Sequence, residues 1–228
     1  MGLVIQFAGG IRRTAYPNTP EGGDEMTAPR GRSAKRPASA RPASASSLRI
    51  IGGRWRGRKL RFTAAQGLRP TGDRIRETLF NWLAAELPGA RCADLFSGSG
   101  ALGLEALSRG AAHCDFIDTN PESLAQIRQH LSTLDATSQA RCHACNALDL
   151  LAAGAGPWDI VFIDPPFGLQ LVEPSCTLLA AGGAPAPGAS VYIETGADEP
   201  EAALPADWLL HRDKTSGAVR YRLFHTAA

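Results

Sequence analysis

The glycine-rich passage Asp94-Leu95-Phe96-Ser97-Gly98-Ser99-Gly100-Ala101-Leu102-Gly103 lies between a strand-like run, Arg91 to Phe96, and a helical stretch, Ala101 to Arg109. Beyond it, apolar runs of strand length keep alternating with helical stretches. Strands are expected at His113 to Asp118, Ala140 to Cys145, Asp159 to Asp164 and Ser190 to Glu194, and helices at Pro121 to Leu134 and Leu169 to Ala180. Strands joined through helices run parallel by right-handed crossovers and form a sheet covered on both faces. The expected fold is therefore α/β with a mostly parallel sheet. The closing stretch, Trp208 to Phe224, reads as two strands around Thr215-Ser216-Gly217, an antiparallel edge hairpin.

Composition bounds where that fold begins. With 228 residues, 44% of them hydrophobic, the chain can bury a core of ordinary domain size. The segment Gly31 to Ser47, GRSAKRPASARPASASS, has no large apolar side chain to contribute, so residues 1–47 read as a disordered basic tail and the folded part as starting near Leu48. The apolar run in Met1 to Ile11 has no basic residue before it and Arg12 and Arg13 after it, the wrong polarity for a secretory leader. No later apolar run is long enough to span a bilayer, so a soluble, cytoplasmic protein is expected. Five cysteines, at 92, 114, 142, 145 and 176, suit reduced thiols. The pair Cys142 and Cys145 lacks the second ligand pair of a zinc site, and no metal is expected.

Charge is divided along the chain. Residues 1–62 hold thirteen Lys and Arg against three acids, whereas residues 63–228 hold eleven against nineteen. Much of the basic excess falls in Leu48 to Phe62, LRIIGGRWRGRKLRF, where glycines between short apolar runs suggest a β-hairpin. Its basic residues Arg49, Arg54, Arg56, Arg58, Lys59 and Arg61, with Trp55 among them, suit phosphate contacts beside an aromatic platform for a base. A solvated basic hairpin is the other reading. Next, Arg69 to Leu87 reads as a helix capped by Thr71 or Asp73, with Ile75, Leu79, Trp82, Leu83 and Leu87 on the core side. Its opposite stripe, Arg74, Glu77, Thr78 and Asn81, reads as a wet face with an ion pair at spacing three, or as the wall of a site.

Four features point to chemistry. GxGxxG alone is a weak nucleotide signal, but Asp94, four residues before Gly98, would repel a diphosphate and attract a cationic ligand such as S-adenosylmethionine. Gly98 and Gly100 let the backbone approach such a ligand. Asp118, at the end of the second strand, can accept ribose hydroxyls, and Asn146, after the third, either pairs with an adenine edge or simply ends a strand. The fourth is Trp158 to Gly168, WDIVFIDPPFG, where a strand opens onto an acid, two prolines and an aromatic ring. Two prolines make a rigid strand exit. Beside a methyl sulfonium they gain a purpose: the Asp164 carboxylate and the Pro165 carbonyl accept the hydrogens of an exocyclic amine and free its lone pair. Pro166 holds the turn, and Phe167 offers its face to the base. Such a base must be flipped or come from a loop.

Taken together, RIIGGRWRGRKL, RPTGDRIRETLFNWL, DLFSGSGALGLEALSRGA, DPPF and the closing GAVRYRLF resemble the class I S-adenosylmethionine-dependent methyltransferases, and within them the bacterial 16S ribosomal RNA guanine-N2 methyltransferases of the RsmD type. The resemblance runs from about Leu48 to Phe224. It implies a Rossmann-like, mostly parallel seven-stranded sheet with an antiparallel C-terminal edge hairpin and an N-terminal β-hairpin extension. Residues 48–66 would be the RNA-binding hairpin and 67–228 the catalytic domain, a monomer acting on 16S ribosomal RNA or a small-subunit assembly intermediate. Carried over by position, Asp94, Phe96, Gly98, Gly100, Asp118, Thr119, Asn146 and Ala147 would surround the cofactor, with Arg69, Thr71 and Arg74 over its methionine end. Asp164, Pro165, Pro166 and Phe167 would hold the target amine. Asp118 and Asn146 stand where Glu and Asp are expected, and Gly72 and Ser97 where Thr and Ala are. Adenine-N6 or protein-amide methylation, a nicotinamide oxidoreductase and a non-enzymatic RNA-binding assembly factor remain the alternatives.

Overall fold

In the computed structural model, which describes residues 45–63 and 72–227, the chain forms a two-stranded hairpin and a seven-stranded sheet. The hairpin pairs β1 (Ala45–Arg49) with β2 (Lys59–Thr63) in antiparallel register, Leu48 opposite Leu60 and Arg49 opposite Lys59. Because opposed residues of such a pair share a face, Leu48, Leu60 and Phe62 turn inward and are buried, while Arg49, Lys59 and Arg61 turn outward. The first strand starts three residues before the expected boundary at Leu48. The expected tail up to position 44 lies outside the described residues.

The main sheet has the order β5-β4-β3-β6-β7-β9-β8. Its elements are α1 (Asp73–Trp82), β3 (Arg91–Asp94), α2 (Ala101–Ser108), β4 (His113–Asp118), α3 (Pro121–Thr133), β5 (Ala140–Ala144), α4 (Ala147–Ala152), β6 (Trp158–Ile163), α5 (Val172–Ala181), β7 (Pro185–Gly196), β8 (Leu209–Ser216) and β9 (Val219–His225). Strands β3 to β7 pair in parallel, and β9 pairs antiparallel with both β7 and β8. The expected α/β class and edge hairpin are present, with β9 inserted between β7 and the edge strand β8. From β3 the chain winds outward to β4 and β5, then returns to the other side of β3 as β6. The strand order therefore reverses between β3 and β6, the place where open α/β sheets bind ligands.

Alternation along the strands divides the interior. Ile160, Phe162 and Tyr192 join α1, α2, α3 and the inner face of the hairpin in one apolar cluster. Val161, Ile163, Val191 and Ile193 join α4, α5, Trp208 and Phe224 in the other. The basic hairpin is thus packed through Leu48, Ile50, Trp55, Leu60 and Phe62 onto the same layer as the glycine-turn helix.

Several boundaries differ from expectation for local reasons. Helix α1 begins at Asp73 behind Gly72, which supplies no side-chain cap; the Asp73 carboxylate instead takes the Arg76 guanidinium at 2.6 Å, so the spacing-three pair is Asp73–Arg76. Thr71 lies outside the described residues. The helix ends at Trp82, yet Leu83 and Leu87 continue as buried turns. Strand β7 extends beyond Ser190 to Glu194 at both ends because Pro185 pairs with Trp158 across an irregularity in β6, and Pro185, Pro187 and Gly188 mask that pairing in the sequence. Helix α4 is six residues long, too short to show a period.

Gly103 shows which effect governs the packing of α2. Alanine would favour the helix by about 1 kcal/mol. A Cβ there, however, would stand 2.3 Å from the Phe116 ring and 2.8 Å from Cys114 Sγ in the sheet behind it. Overpacking of that kind costs about 1–3 kcal/mol. Gly103→Ala is expected to lower the urea midpoint at unchanged m-value, with a larger loss for Gly103→Val.

Candidate active site at the strand ends

The in-step parallel pairing of β3, β4, β6 and β7 brings their carboxyl ends to one edge. Asp94 ends β3 beside Phe162 of β6, and Phe162 lies beside Tyr192 of β7. Two residues further on, Asp164 and Glu194 share that face of the sheet. Three acids from three adjacent strands therefore converge at the reversal of strand order.

The first of them is enclosed. Asp94 is 2% exposed, and its Oδ2 accepts the Gly103 amide at 3.1 Å. Burial, reinforced by Asp164 and Asp118, pushes its carboxyl up to about 7 despite that bond. The turn after β3 is drawn tight: Gly100 N donates to Ser97 O at 2.6 Å, and the Ser97 hydroxyl lies 2.9 Å from the carbonyls of Asp94 and Ile117. Gly98 and Gly100 have φ of 50° and 76°, in the left-handed region, and a Cβ on Gly100 would crowd Ile127 at 3.0 Å.

Asp118 holds that turn from the neighbouring strand. Its Oδ2 accepts the Gly98 amide at 2.8 Å and its Oδ1 the Asn120 amide at 2.7 Å, and each oxygen keeps a lone pair for a further donor. Asn120, not anticipated from the sequence, caps α3 by accepting from Glu122 N at 2.9 Å. Phe96 is half-buried behind the turn, and Thr119 is exposed after Asp118. Asn146 is exposed and caps α4, its Oδ1 accepting from Leu148 N at 2.8 Å, while Ala147 is buried as the first residue of that helix. The strand-end reading of Asn146 thus has a definite contact, and its amide nitrogen is the atom left to face a ligand.

At the exit of β6, Asp164 is half-buried, Pro165 buried and Pro166 exposed, and the Phe167 ring is 45% exposed. The Gly168 amide donates to the Glu199 carboxylate from the segment after β7, which ties the exit to its neighbour. Below Asp164, Glu194 is buried and accepts the Tyr192 hydroxyl at 2.7 Å. Burial, then the charge of Asp164, raises Glu194 to about 8. Neither Glu199 nor Glu194 was anticipated; an acid inside the apolar run Val191 to Ile193 and beyond was the available signal for the second.

The outer face of the hairpin carries Arg49, Arg54, Arg56, Arg58, Lys59 and Arg61, all exposed. Trp55 is a correction. It is 7% exposed, in the core, with the Arg54 guanidinium 4.1 Å over its ring, so it is no open platform. Arg74 stands on α1 beside this face, and a cavity of about 380 Å³ between the two is lined by Arg49, Ile51, Arg56, Asp73, Arg74 and Glu77. Arg69 lies, with Thr71, outside the described residues. A second cavity, of about 230 Å³, opens at the far edge of the sheet near Pro185 and Trp208, away from the strand-end acids. His143 is engaged by Asp115 at 2.8 Å, and the described residues contain no group of three His, Cys, Asp or Glu placed to hold a metal ion.

This arrangement suits a ligand that is cationic at one end and a nucleoside at the other. Asp94 offers charge at the inner end, Asp118 two carboxylate oxygens at the outer end, and the glycine turn a floor without side chains. S-adenosylmethionine has that shape and charge.

The chain has relatives among known proteins. Residues 48–225 match the family model described as conserved hypothetical protein 95. The chain is 47% identical over 186 residues to ribosomal RNA small subunit methyltransferase D of Escherichia coli K12, covering 82% of this chain and 93% of that protein. For the same protein of Haemophilus influenzae the identity is 42%, covering 80% and 96%. The solved structure of the Escherichia coli yhhF protein superposes with a TM-score of 0.74 at 45% identity, over 80% of this chain and 99% of that one. An RNA methyltransferase of Salinibacter ruber, solved with S-adenosyl-L-homocysteine, shares the fold at 14% identity with a TM-score of 0.53, over 70% and 94%.

The raised Asp94 carboxyl gives a signed pH dependence. A cationic ligand favours the ionised form, so S-adenosylmethionine affinity should increase as pH rises through about 7, with proton uptake by buffer on binding below that pH. Calorimetry in buffers of different ionisation enthalpy measures this. For a carboxyl raised on folding, the stability contribution is full below about 4 and lost as pH rises through about 7, so the unliganded protein should soften over that window.

Proposed function

The chain belongs to the family of ribosomal RNA small subunit methyltransferase D, a family of methyltransferases acting on ribosomal RNA, and from that premise we propose that it methylates the exocyclic N2 amine of one guanine in 16S ribosomal RNA during small-subunit assembly. S-adenosylmethionine is the methyl donor. The observation that carries the reading is the Asp164-Pro165-Pro166-Phe167 exit beside the Asp94 turn, at the reversal of strand order.

When bound, S-adenosylmethionine supplies an electrophilic methyl carbon at this edge. Asp94 would attract the cationic methionine end, the Gly98 to Gly100 turn would let the backbone close on it, and Asp118 would take the ribose hydroxyls. The target amine is a weak nucleophile because its lone pair is delocalised into the ring. The Asp164 carboxylate and the Pro165 carbonyl each accept one amine hydrogen, which draws the lone pair out of conjugation and aims it at the methyl carbon. The nitrogen lone pair forms the new N–C bond, the S–C pair stays on sulfur, and the surplus amine proton passes toward Asp164. Burial and the charge of Asp164 push the Glu194 carboxyl upward, which favours its protonated form and limits the negative charge buried at this corner.

Docking is the second requirement. Stacking on the exposed Phe167 ring is worth roughly 1–3 kcal/mol, against a flipping cost of a few kcal/mol. One ring offsets only part of that cost, so the six basic residues of the hairpin supply affinity through backbone phosphates. In this reading the hairpin is the docking element, the rest of the described chain the catalytic domain, and the cytoplasm, where small subunits assemble, the place of work. Among the described residues no helix is long and apolar enough to cross a membrane.

Asp164→Ala should abolish methyl transfer while changing cofactor and RNA affinity by no more than a few-fold. The measurement uses labelled S-adenosylmethionine, small subunits from a strain lacking this activity, and digestion to nucleosides. Label in N2-methylguanosine is expected; label in adenosine, or in protein alone, would replace the substrate assignment, and equal transfer by the variant would overturn the role given to Asp164. Replacing Arg54, Arg56 and Arg58 together should weaken binding and flatten its dependence on salt.

A further inference from the structure

Beneath the basic hairpin lies a charged cluster that takes no part in the chemistry described above. Glu105, on α2, is completely buried. Its Oε2 accepts the Ile51 amide at 2.8 Å, and its Oε1 accepts both the Gly52 amide at 2.7 Å and Arg109 Nε at 2.7 Å. Arg76 of α1 comes within 3.6 Å of Glu105 and donates through Nη2 to the Arg49 carbonyl at 2.9 Å and to Asp73 at 2.6 Å. One turn beyond Glu105, the Ser108 hydroxyl accepts from Trp55 N at 3.0 Å and donates to Gly52 O at 2.6 Å.

These contacts seize the backbone of the hairpin from Arg49, at the end of its first strand, to Trp55, while its basic side chains stay exposed. The paired glycines permit the approach. A Cβ on Gly53, whose φ is 73°, would fall 1.9 Å from the Ser108 carbonyl, and one on Gly52 would meet the Arg109 guanidinium at 2.5 Å. Glycines that look from the sequence like turn formers are the contact surface on α2.

The other end of α2 holds the donor site. The helix starts at Ala101 behind its N-cap Gly100, and its Gly103 amide is bound by Asp94. Eight helical residues rise about 12 Å. The surface that grips RNA and the turn that grips the methyl donor are therefore attached to opposite ends of one short helix, with Arg76 joining α1 to the same carboxylate. A buried carboxylate is expensive to enclose unless every lone pair is used, and a nonpolar contact would hold the hairpin in less defined register.

We infer that Glu105 is a positioning residue for the reaction: it sets the place of the RNA-docking hairpin relative to the methyl donor, and so delivers the target base to Asp164. This rests on the hairpin docking ribosomal RNA. A displaced hairpin would weaken productive docking without altering the donor turn, so the effect appears in KM for RNA and not in cofactor affinity.

The test uses the full-length chain and small subunits lacking the modification, with wild-type transfer as the control; absence of transfer by the wild type would refute the substrate reading itself. Glu105→Gln keeps the shape but turns an amide N–H against a backbone donor. Loss of one charged acceptor should raise KM for the particle roughly tenfold, with kcat and the Kd of S-adenosylmethionine within about twofold. The log-affinity slope against log salt should flatten. Assays run well below the thermal midpoint, so a purely stabilising role would leave KM and slope unmoved. If Glu105→Gln fails to fold, Ser108→Ala decides, with a KM rise of roughly threefold expected. Unchanged KM in the deciding variant, or equal loss of cofactor affinity, overturns the assignment.

Discussion

The in-step parallel pairing of β3 with β4 on one side and β6 on the other is the constraint on which the rest of the molecule depends. It makes three strands end at one edge, with Asp118 and Asp164 two residues beyond the level of Asp94. Nothing else brings Asp94, Asp118 and Asp164 together, since they are separated by tens of residues along the chain. Crossovers through α2 and α3 enforce the parallel sense, and the return of the chain to β6 leaves a crevice between two strands whose connections diverge. The glycine turn and the Asp-Pro-Pro-Phe exit face each other across it because of topology.

Buried charge is used here in two distinct ways. Near the crevice, carboxyls are enclosed under repulsion. Asp94 rises to about 7 and Glu194 to about 8, states that ease when a cation or a proton arrives. Beneath the hairpin, Glu105 is enclosed by two backbone amides and Arg109, with Arg76 close by. The first arrangement leaves an attraction for ligand unspent; the second spends most of its own on backbone and arginine donors and confers position instead. Apolar packing of Leu48, Ile50, Trp55, Leu60 and Phe62 supplies the adhesion of the hairpin, and the hydrogen bonds to α2 supply its register.

Much of the sheet and of the crevice was legible because the relevant signals are local. A strand that ends in an acid and a glycine turn, or in an acid and two prolines, declares its own boundary through backbone sterics. Less was legible where the answer depends on what lies opposite. Trp55 among arginines looks like a platform, but alternation along the hairpin and the nearness of α2 bury it. Asn146 ends a strand in the sequence, and a helix too short to be periodic makes it a cap as well. Glu194 closes the apolar run Val191 to Ile193 and Glu105 interrupts an apolar helix; only tertiary enclosure distinguishes them from solvated acids.

The chain's own residues determined the class of fold, the order of strands and helices, the glycine turn and the stiff acidic exit, because periodicity, left-handed glycine geometry and the missing proline amide act within a few residues. Tertiary structure alone decided which acids meet, which of them lose their water, and how the basic hairpin is aimed at them. Those outcomes depend on parallel register and on helix contacts between segments about fifty residues apart, such as Gly52 and Glu105, for which one-dimensional spacing carries no signal.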